Sequence, residues 1–257
     1  MTVDISAVTN PRIKTWAALR DRKHRNSSGL FLVEGFREIQ RMAGLDIAID
    51  TLIIAPDLAG DPDSPPTTVR SVTVGEAPFE KLSYRQNPDG WLAVVEQPSL
   101  DLDRLSIPAN PFVVVIEGLE KPGNLGAILR TADGAGADAV ILADSVIDVF
   151  NPNVVRAAQG SLFAVPIAVA TTEETSAWLD GNSIDLLIAT PEASTTLWEG
   201  PIGDRVAILV GAEHGGVSEV LRLGAGTVAI PMAGTADSLN AATAAALLMF
   251  EIVRRRQ

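Results

Sequence analysis

The spacing of apolar residues divides the chain into two regions that each mix helices and strands. In the first hundred residues Ile13, Trp16 and Leu19 recur at helical spacing, which predicts a helix over 11–25, with a turn over 26–29. A second short helix is predicted over 36–43. Four β-rich runs separate or follow these helices, at 30–33, 51–55, 69–74 and 91–96. This alternation predicts a small α/β sandwich.

The second region has longer, uninterrupted apolar runs, which are typical of buried parallel strands covered by helices on both faces. The predicted strands are 112–117, 139–142, 166–170, 185–189, 206–210 and 227–231. The final helix, over 239–256, is rich in alanine and ends in three arginines, whose positive charge complements a helix C-terminus.

A segment with three prolines and little periodicity separates the two regions. We therefore predict a first domain over 1–97, a linker over 98–111 and a second domain over 112–257.

Composition excludes several classes of protein. The chain is 47% hydrophobic, which argues against wholesale disorder. It has no cysteine, so disulfides, zinc–thiolate sites and thiol nucleophiles are excluded, and two histidines alone give little material for a metal site. We expect no metal. The chain lacks a secretion signal and an apolar run of about 18–20 residues, so we expect a cytoplasmic protein without a membrane partner.

The net charge of −12 argues at first against nucleic acid as a partner, because phosphate contacts need lysine and arginine. The distribution of charge changes this picture. Residues 1–41 carry eight Lys and Arg against four Asp and Glu, a net charge of +4, which leaves −16 for the remainder. A local basic face can bind RNA while an acidic body limits non-specific association. A solvated amphipathic helix explains the same charges, and both interpretations stand.

A loop rich in glycine follows the predicted strand 112–117. Gly123 and Gly126 permit a tight turn from strand to helix, and Asn124 can serve there as a helix cap or as a ligand. Arg130 lies on the helix that follows. The loop is neither a GxGxxG motif nor a phosphate loop with its lysine. A structural turn alone explains Gly123 and Asn124 about as well.

Two further loops follow predicted strands. Glu213 comes directly after the strand 206–210 among three glycines, and a buried carboxylate there is costly without a partner. The third loop ends in Ser238-Leu239-Asn240 at the start of the last helix, where an N-cap is the simplest role for Ser238 alone. Ligands of open α/β sheets bind beyond the carboxyl ends of the strands, so we expect the three loops to build one site.

Together the three loops resemble the three signature motifs of the SpoU/TrmH family of RNA ribose methyltransferases. The motifs read NLGAILRTADGAGA, LVGAEHGGVS and IPMAGTADSLNAA, in the order and at the spacing of the family. The first half, with NPRIKTWAALRDRK followed by GLFLVEGFREI, resembles the accessory substrate-binding domain of many members. That domain is similar to certain small α/β ribosomal proteins.

The resemblance implies an α/β protein with two parts: a parallel-sheet SPOUT domain with a deep trefoil knot, and a small N-terminal α/β/α domain. It implies S-adenosylmethionine as cofactor and a homodimer whose active site is completed across the interface. The expected cofactor contacts are Gly211, Ile230, Met232 and Leu239. The expected polar active-site residues are Asn124, Arg130, Glu213, Ser238 and Asn240.

The resemblance also implies a role for Arg130 at the ribose hydroxyl that receives the methyl group. A guanidinium has a pKa above about 12 and rarely releases its proton. We therefore expect Arg130 to hold the adjacent phosphate and to stabilise the developing alkoxide. The partner is structured RNA, either rRNA or tRNA with rRNA favoured. The residues expected to contact its phosphates are Arg12, Lys14, Arg22, Lys23 and Arg25.

Three alternatives stay open at the level of the sequence. The first is an rRNA methyltransferase of the thiopeptide-resistance type, which has a similar two-domain layout. The second is a knotted RNA-binding protein that has lost catalysis, although all five polar positions are retained. The third is a dinucleotide-dependent oxidoreductase on an ordinary doubly wound sheet, against which the absence of a GxGxxG motif argues.

Overall fold

The computed structural model describes residues 3–45, 47–60, 65–67, 69–211 and 216–257. It forms two compact units. The first consists of Met1–Pro98 together with Asp148–Phe163, and the second of Ser99–Ile147 together with Ala164–Gln257. Within the described ranges, no helix is both long enough and apolar enough to cross a membrane.

Ten strands run through the described residues: β1 Leu30–Glu34, β2 Ile49–Ile54, β3 Ser71–Thr73, β4 Trp91–Glu96, β5 Phe112–Glu117, β6 Ala139–Ala143, β7 Ile167–Ala170, β8 Asp185–Ala189, β9 Val206–Val210 and β10 Gly226–Val228. The helices of the same ranges are α1 Pro11–Ala18, α2 Arg22–Ser28, α3 Phe36–Ala43, α4 Glu76–Leu82, α5 Pro122–Ala135, α6 Pro152–Ala158, α7 Thr172–Gly181, α8 Glu219–Arg222 and α9 Ala241–Arg256.

The first unit is built on a four-stranded sheet in the order β1-β4-β2-β3. β4 is antiparallel to β1 and β2, and β3 is parallel to β2. Because side chains alternate along a strand, Leu32 packs with Trp16 and Phe79 on one face. Phe31 turns to the other face, where its ring lies 4.7 Å from that of Phe150. The predicted α/β arrangement is confirmed, and residues 148–163 complete this unit.

The single helix expected over 11–25 is wrong, because the segment forms two helices. α1 ends at Ala18, and the side chain of Asp21 accepts a hydrogen bond from the Lys23 backbone N–H at 2.8 Å, which caps a new helix. α2 continues to Ser28 and ends at Gly29, whose φ of +68° is left-handed. The turn expected over 26–29 is therefore mostly helical.

Arg25 is the largest fully buried side chain of the protein's described part. Its guanidinium forms an ion pair with Asp148 and donates hydrogen bonds to the carbonyl oxygens of Leu19 and Arg20, each at 2.8 Å. With 2% of its surface exposed, the side chain has no free donor for a phosphate. The prediction that Arg25 contacts RNA is therefore wrong; its charge holds α2 and the segment 148–163 together.

The second unit is built on a six-stranded, fully parallel sheet in the order β10-β8-β9-β5-β6-β7. All six residues of the central strand β5 are buried, as expected for a parallel sheet covered on both faces. α5 packs along α9. The six predicted strands are all present, although β10 ends at Val228 instead of continuing to residue 231.

The last helix begins two residues later than predicted. The side chain of Asn240 accepts a hydrogen bond from the Ala242 backbone N–H at 2.9 Å, so Asn240 and not Ser238 is the N-cap. At the other end, Arg254 and Arg255 pair with the buried Glu251. The hydrogen bond from Arg254 is the main cause that lowers the pKa of Glu251 to about 2.

These arginines do more than complement the helix end. Arg255 donates hydrogen bonds to the carbonyl oxygens of Leu197 and Gly200, and Arg256 donates to that of Pro111. The C-terminal helix is thereby fastened to the loop that follows β8 and to the start of β5.

We expect Arg25→Ala to lower the free energy of unfolding by about 3 kcal/mol, because it leaves a poorly exposed carboxylate at Asp148 without its partner. Chemical denaturation would measure this loss. Lys23→Ala, on the exposed side of the same helix, is the control and should change stability by less than about 0.5 kcal/mol. Equal effects of the two substitutions would contradict the structural role of Arg25.

Candidate active site

The carboxyl ends of the six parallel strands lie at one edge of the sheet in the second unit. At this edge the chain forms a cavity of about 730 Å³. Its walls come from the loops after β8, β9 and β10 and from the first turns of α9. Leu209, Val217, Ile230 and Leu248 give the cavity a largely apolar lining, as in most small-molecule sites.

All four residues predicted to contact the cofactor line this one cavity. They are Gly211, Ile230, Met232 and Leu239. Gly211 and the end of its loop lie close together, since a Cβ on Gly211 would stand 2.9 Å from the Cγ2 of Val217. Ser238, one of the predicted polar residues, lines the same cavity. Their roles remain predictions, but the structure brings them together.

The remaining polar residues are placed differently. The side-chain amide of Asn240 donates a hydrogen bond to the Oδ1 atom of Asn124 at 3.3 Å, which joins the first motif to the third. Lys121 and not Asn124 is the N-cap residue of α5, so the capping alternative for Asn124 is wrong. Glu213 lies outside the described residues.

Arg130 is exposed and does not line the cavity. It lies six positions after Asn124 on α5, and at about 100° per residue the two side chains point about 120° apart. Among the described residues, Arg130 has no hydrogen-bond or ion-pair partner. Within one chain, therefore, Asn124 contacts Asn240, whereas Arg130 lies on a different side of α5 and does not line the cavity.

Sequence analysis missed the loop after β8. Thr190 and Glu192 line the cavity beside Arg222 and Asp237. The Thr190 hydroxyl donates a hydrogen bond to the Glu192 carboxylate, which lowers the pKa of that group, with Arg222 adding a smaller effect. The signal was available, because this loop follows a predicted strand of the same parallel sheet.

A buried carboxylate at the same edge was also missed. Glu117 ends β5 and is 7% exposed. Its Oε2 atom accepts a hydrogen bond from the Ser218 backbone N–H at 2.9 Å, and its Oε1 atom lies 3.2 Å from the Thr172 hydroxyl, whose one hydrogen is shared with Asp144. Its partners lie 55 and 101 positions away in the chain, so no local pattern could have identified them.

The lining indicates the kind of chemistry that the cavity supports. Apolar walls suit a flat aromatic ring, and the carboxylates of Glu192 and Asp237 suit a ligand that carries positive charge. The cavity is built to bind and align a reactant.

Two family models match the chain. The SpoU rRNA Methylase family model matches residues 111–250, and the model of the MRM3-like substrate binding domain matches residues 10–93. The first match alone covers more than half of the chain.

Individual relatives match along nearly the whole length. The 23S rRNA (uridine(2479)-2'-O)-methyltransferase of Streptomyces viridochromogenes is 34% identical, over 96% of this chain and 91% of the relative. The 23S rRNA (guanosine(2553)-2'-O)-methyltransferase RlmP of Bacillus subtilis is 29% identical, over 96% and 98%.

A solved structure agrees with these sequence matches. The AdoMet-bound rRNA methyltransferase of Sinorhizobium meliloti superposes with a TM-score of 0.88 at 31% identity, and the match covers 98% of this chain and 97% of the other. With the loops of the second and third motifs gathered at one cavity and both family models matched in order, the chain belongs to the SpoU rRNA methylase family.

Proposed function

We propose that this protein transfers a methyl group from S-adenosylmethionine to a ribose 2'-hydroxyl of ribosomal RNA. The observation that carries the proposal is the convergence of Gly211, Ile230, Ser238 and Leu239, from separate motifs, on one cavity. The full-length relatives named above act on 23S rRNA, which favours rRNA over tRNA. Since those relatives modify a uridine in one case and a guanosine in the other, the target nucleotide stays open.

The cavity suits the proposed cofactor in size, shape and charge. Its volume of about 730 Å³ falls in the range of small-molecule sites. Ile230 and Leu239 offer apolar contact for a purine, with Gly211 letting the backbone approach. Glu192 and Asp237 bring negative charge to a ligand that carries a sulfonium and an ammonium group. When bound, S-adenosylmethionine supplies an activated methyl group.

The protein's own residues then have to align and activate the ribose. Asn124 and Asn240, joined by their hydrogen bond, shape the entrance beside the cavity. Arg130 holds the phosphate next to the target and stabilises the negative charge that develops on the 2'-oxygen. Glu213 is assigned to orient Arg130. Alignment of two bound reactants can lower the barrier by roughly 7–11 kcal/mol.

The position of Arg130 favours an active site shared by two protomers. It is exposed and does not line the cavity of its own chain, so we infer that it acts at the cavity of a partner. An apolar surface on the same unit is available for pairing: Trp198 and Phe250 are 49% and 50% exposed, and Thr243, Ala246 and Leu247 lie beside them. Exposed apolar patches of this kind mark interfaces.

We assign RNA binding to the N-terminal unit. Lys14, Arg22 and Lys23 are exposed on α1 and α2, and Arg12 stacks over the ring of Trp16 with 4.7 Å between its guanidinium carbon and the ring centre. Arg25 is withdrawn from this set because it is buried. Phosphate contacts position an RNA without choosing its nucleotide, so this surface is expected to set affinity.

Three further features implied by the family resemblance or by composition remain predictions. They are the trefoil knot of the second domain, the functional division at the linker 98–111, and a cytoplasmic location, where ribosomal RNA is modified. An inactive RNA-binding protein and an oxidoreductase would both fail to methylate RNA, in contrast to the proposed enzyme.

Methyl transfer to RNA tests the proposal directly. The protein is incubated with labelled S-adenosylmethionine and total RNA from a strain that lacks it, and the modified nucleoside is mapped. We expect label on one ribose of 23S rRNA. RNA that binds without label would favour the inactive RNA-binding protein, and label confined to tRNA would overturn the rRNA assignment.

Mixing two inactive variants tests the shared active site. Arg130→Ala removes the activating group, and Ser238→Trp fills the cavity; each alone should be inactive. In a one-to-one mixture of re-equilibrated dimers, about a quarter of the sites would combine an intact cavity with an intact Arg130. Recovery of that fraction supports the shared site. No recovery, with heterodimers demonstrated, would place Arg130 at its own cavity.

The salt dependence of RNA affinity tests the N-terminal surface. Lys14→Ala and Lys23→Ala should each reduce the slope of log K against log salt by about one unit, since each removes one phosphate contact. Arg70→Ala makes the same charge change at an exposed position before β3 and should leave the slope unaltered. An unchanged slope in both lysine variants would reject this surface.

A further inference from the structure

Glu117 is a buried acidic side chain that the proposed reaction does not use. It ends β5, where Ile116 pairs with Val210 of β9 and Glu117 pairs with Ala143 of β6. The carboxylate therefore stands level with Gly211, the first cavity residue after β9. A buried carboxylate is costly unless its oxygens accept hydrogen bonds. Here Oε2 accepts one from the Ser218 backbone N–H, and Oε1 lies beside the Thr172 hydroxyl, whose single hydrogen it shares with Asp144.

One of these hydrogen bonds reaches the wall of the cavity. The donor is the backbone N–H of Ser218, directly after Gly216 and Val217, which line the cavity. Val217 in turn lies against Gly211, so the two ends of this loop meet at its base. Glu117 holds the second end in place by accepting this hydrogen bond.

A nearby carboxylate provides a comparison. Asp144 follows β6 at the same edge and accepts hydrogen bonds from both the backbone N–H and the hydroxyl of Thr172. It shares Thr172 with Glu117 but has no described contact with the loop 216–218. The two carboxylates thus differ in one respect that matters here, the hydrogen bond to Ser218.

We propose that Glu117 is a positioning residue for cofactor binding, which fixes the backbone of residues 216–218 and with it one wall of the cavity. Its function is to accept a hydrogen bond and does not depend on its charge. This inference rests on the proposed function, because it takes the cavity as the cofactor site.

The role as acceptor predicts how Gln will behave at position 117. In Glu117→Gln the amide oxygen still accepts from Ser218, while the amide NH₂ donates to the Thr172 oxygen, whose own hydrogen goes to Asp144. Every polar group keeps a partner. Glu117→Ala removes the acceptor altogether and leaves the half-buried Ser218 N–H without one.

Calorimetric titration with S-adenosylhomocysteine, the demethylated product, tests the proposal without a turnover assay. We expect Glu117→Ala to raise Kd by about tenfold and to leave RNA affinity unchanged. Glu117→Gln and Asp144→Ala should both stay within about twofold of the unaltered protein. Equal weakening by Glu117→Ala and Asp144→Ala, or none by either, would overturn the proposal.

If Glu117→Ala fails to fold, a second pair of variants tests the same hydrogen bond from the other side. Ser218 has a φ of −58°, close to the value that proline fixes, so Ser218→Pro deletes the donor N–H while keeping the local backbone. Ser218→Ala keeps that N–H and removes only the hydroxyl. Weaker binding in the proline variant alone supports the role of Glu117, and equal binding in the two variants refutes it.

The unaltered protein separates this inference from the proposed function. If it binds S-adenosylhomocysteine and the Glu117 variants bind equally well, only the positioning role fails. If it gives no heat at all, the assignment of the cavity fails and the role of Glu117 fails with it.

Discussion

The direction of the strands in the second unit is the constraint on which the site depends. Six strands in parallel register place all of their carboxyl ends at one edge, and the chain must leave the sheet there in six loops. Loops that lie far apart in sequence, such as those holding Thr190, Gly211 and Ile230, therefore meet at one cavity. Reversal of β8, β9 or β10 would remove its loop from the site.

A cavity made of loops needs its loops held, and long-range hydrogen bonds do this in the second unit. Glu117 holds the end of the loop after β9, and the amide of Asn240 joins the third motif to Asn124 of the first. Arg255 fastens the far end of α9 to the loop after β8. These contacts let a site with few charged groups keep a defined shape, which the alignment of two reactants requires.

Much of the fold could be predicted because it follows from local patterns. Runs such as Val113–Ile116 are apolar throughout, so a buried parallel strand is the structure they favour. The same logic predicts that the loops after these strands share one edge of the sheet, whereas the site roles of Gly211, Ser238 and Leu239 were implied only by the family resemblance. The helix boundaries were harder to predict, because the cap at Asp21 divides a segment whose apolar spacing is continuous through Leu19.

The features that could not be predicted depend on partners distant in sequence. Arg25 belongs to a basic run and has the composition of an RNA contact, yet its partner Asp148 lies 123 positions later and draws it into the core. In the sequence Glu117 is simply the last residue of a predicted strand, and only the structure shows that the Ser218 N–H donates to it. Arg130 matches the family motif, but only the structure shows that it does not line the cavity of its own chain.

The most direct test of this account is a crystal structure of the protein with S-adenosylhomocysteine bound. We predict ligand density inside the cavity between the loops after β8, β9 and β10, with the Ser218 N–H still donating to Glu117. A ligand bound elsewhere on the chain, or a cavity that stays closed to it at saturating concentration, would contradict the assignment of this edge of the sheet as the active site.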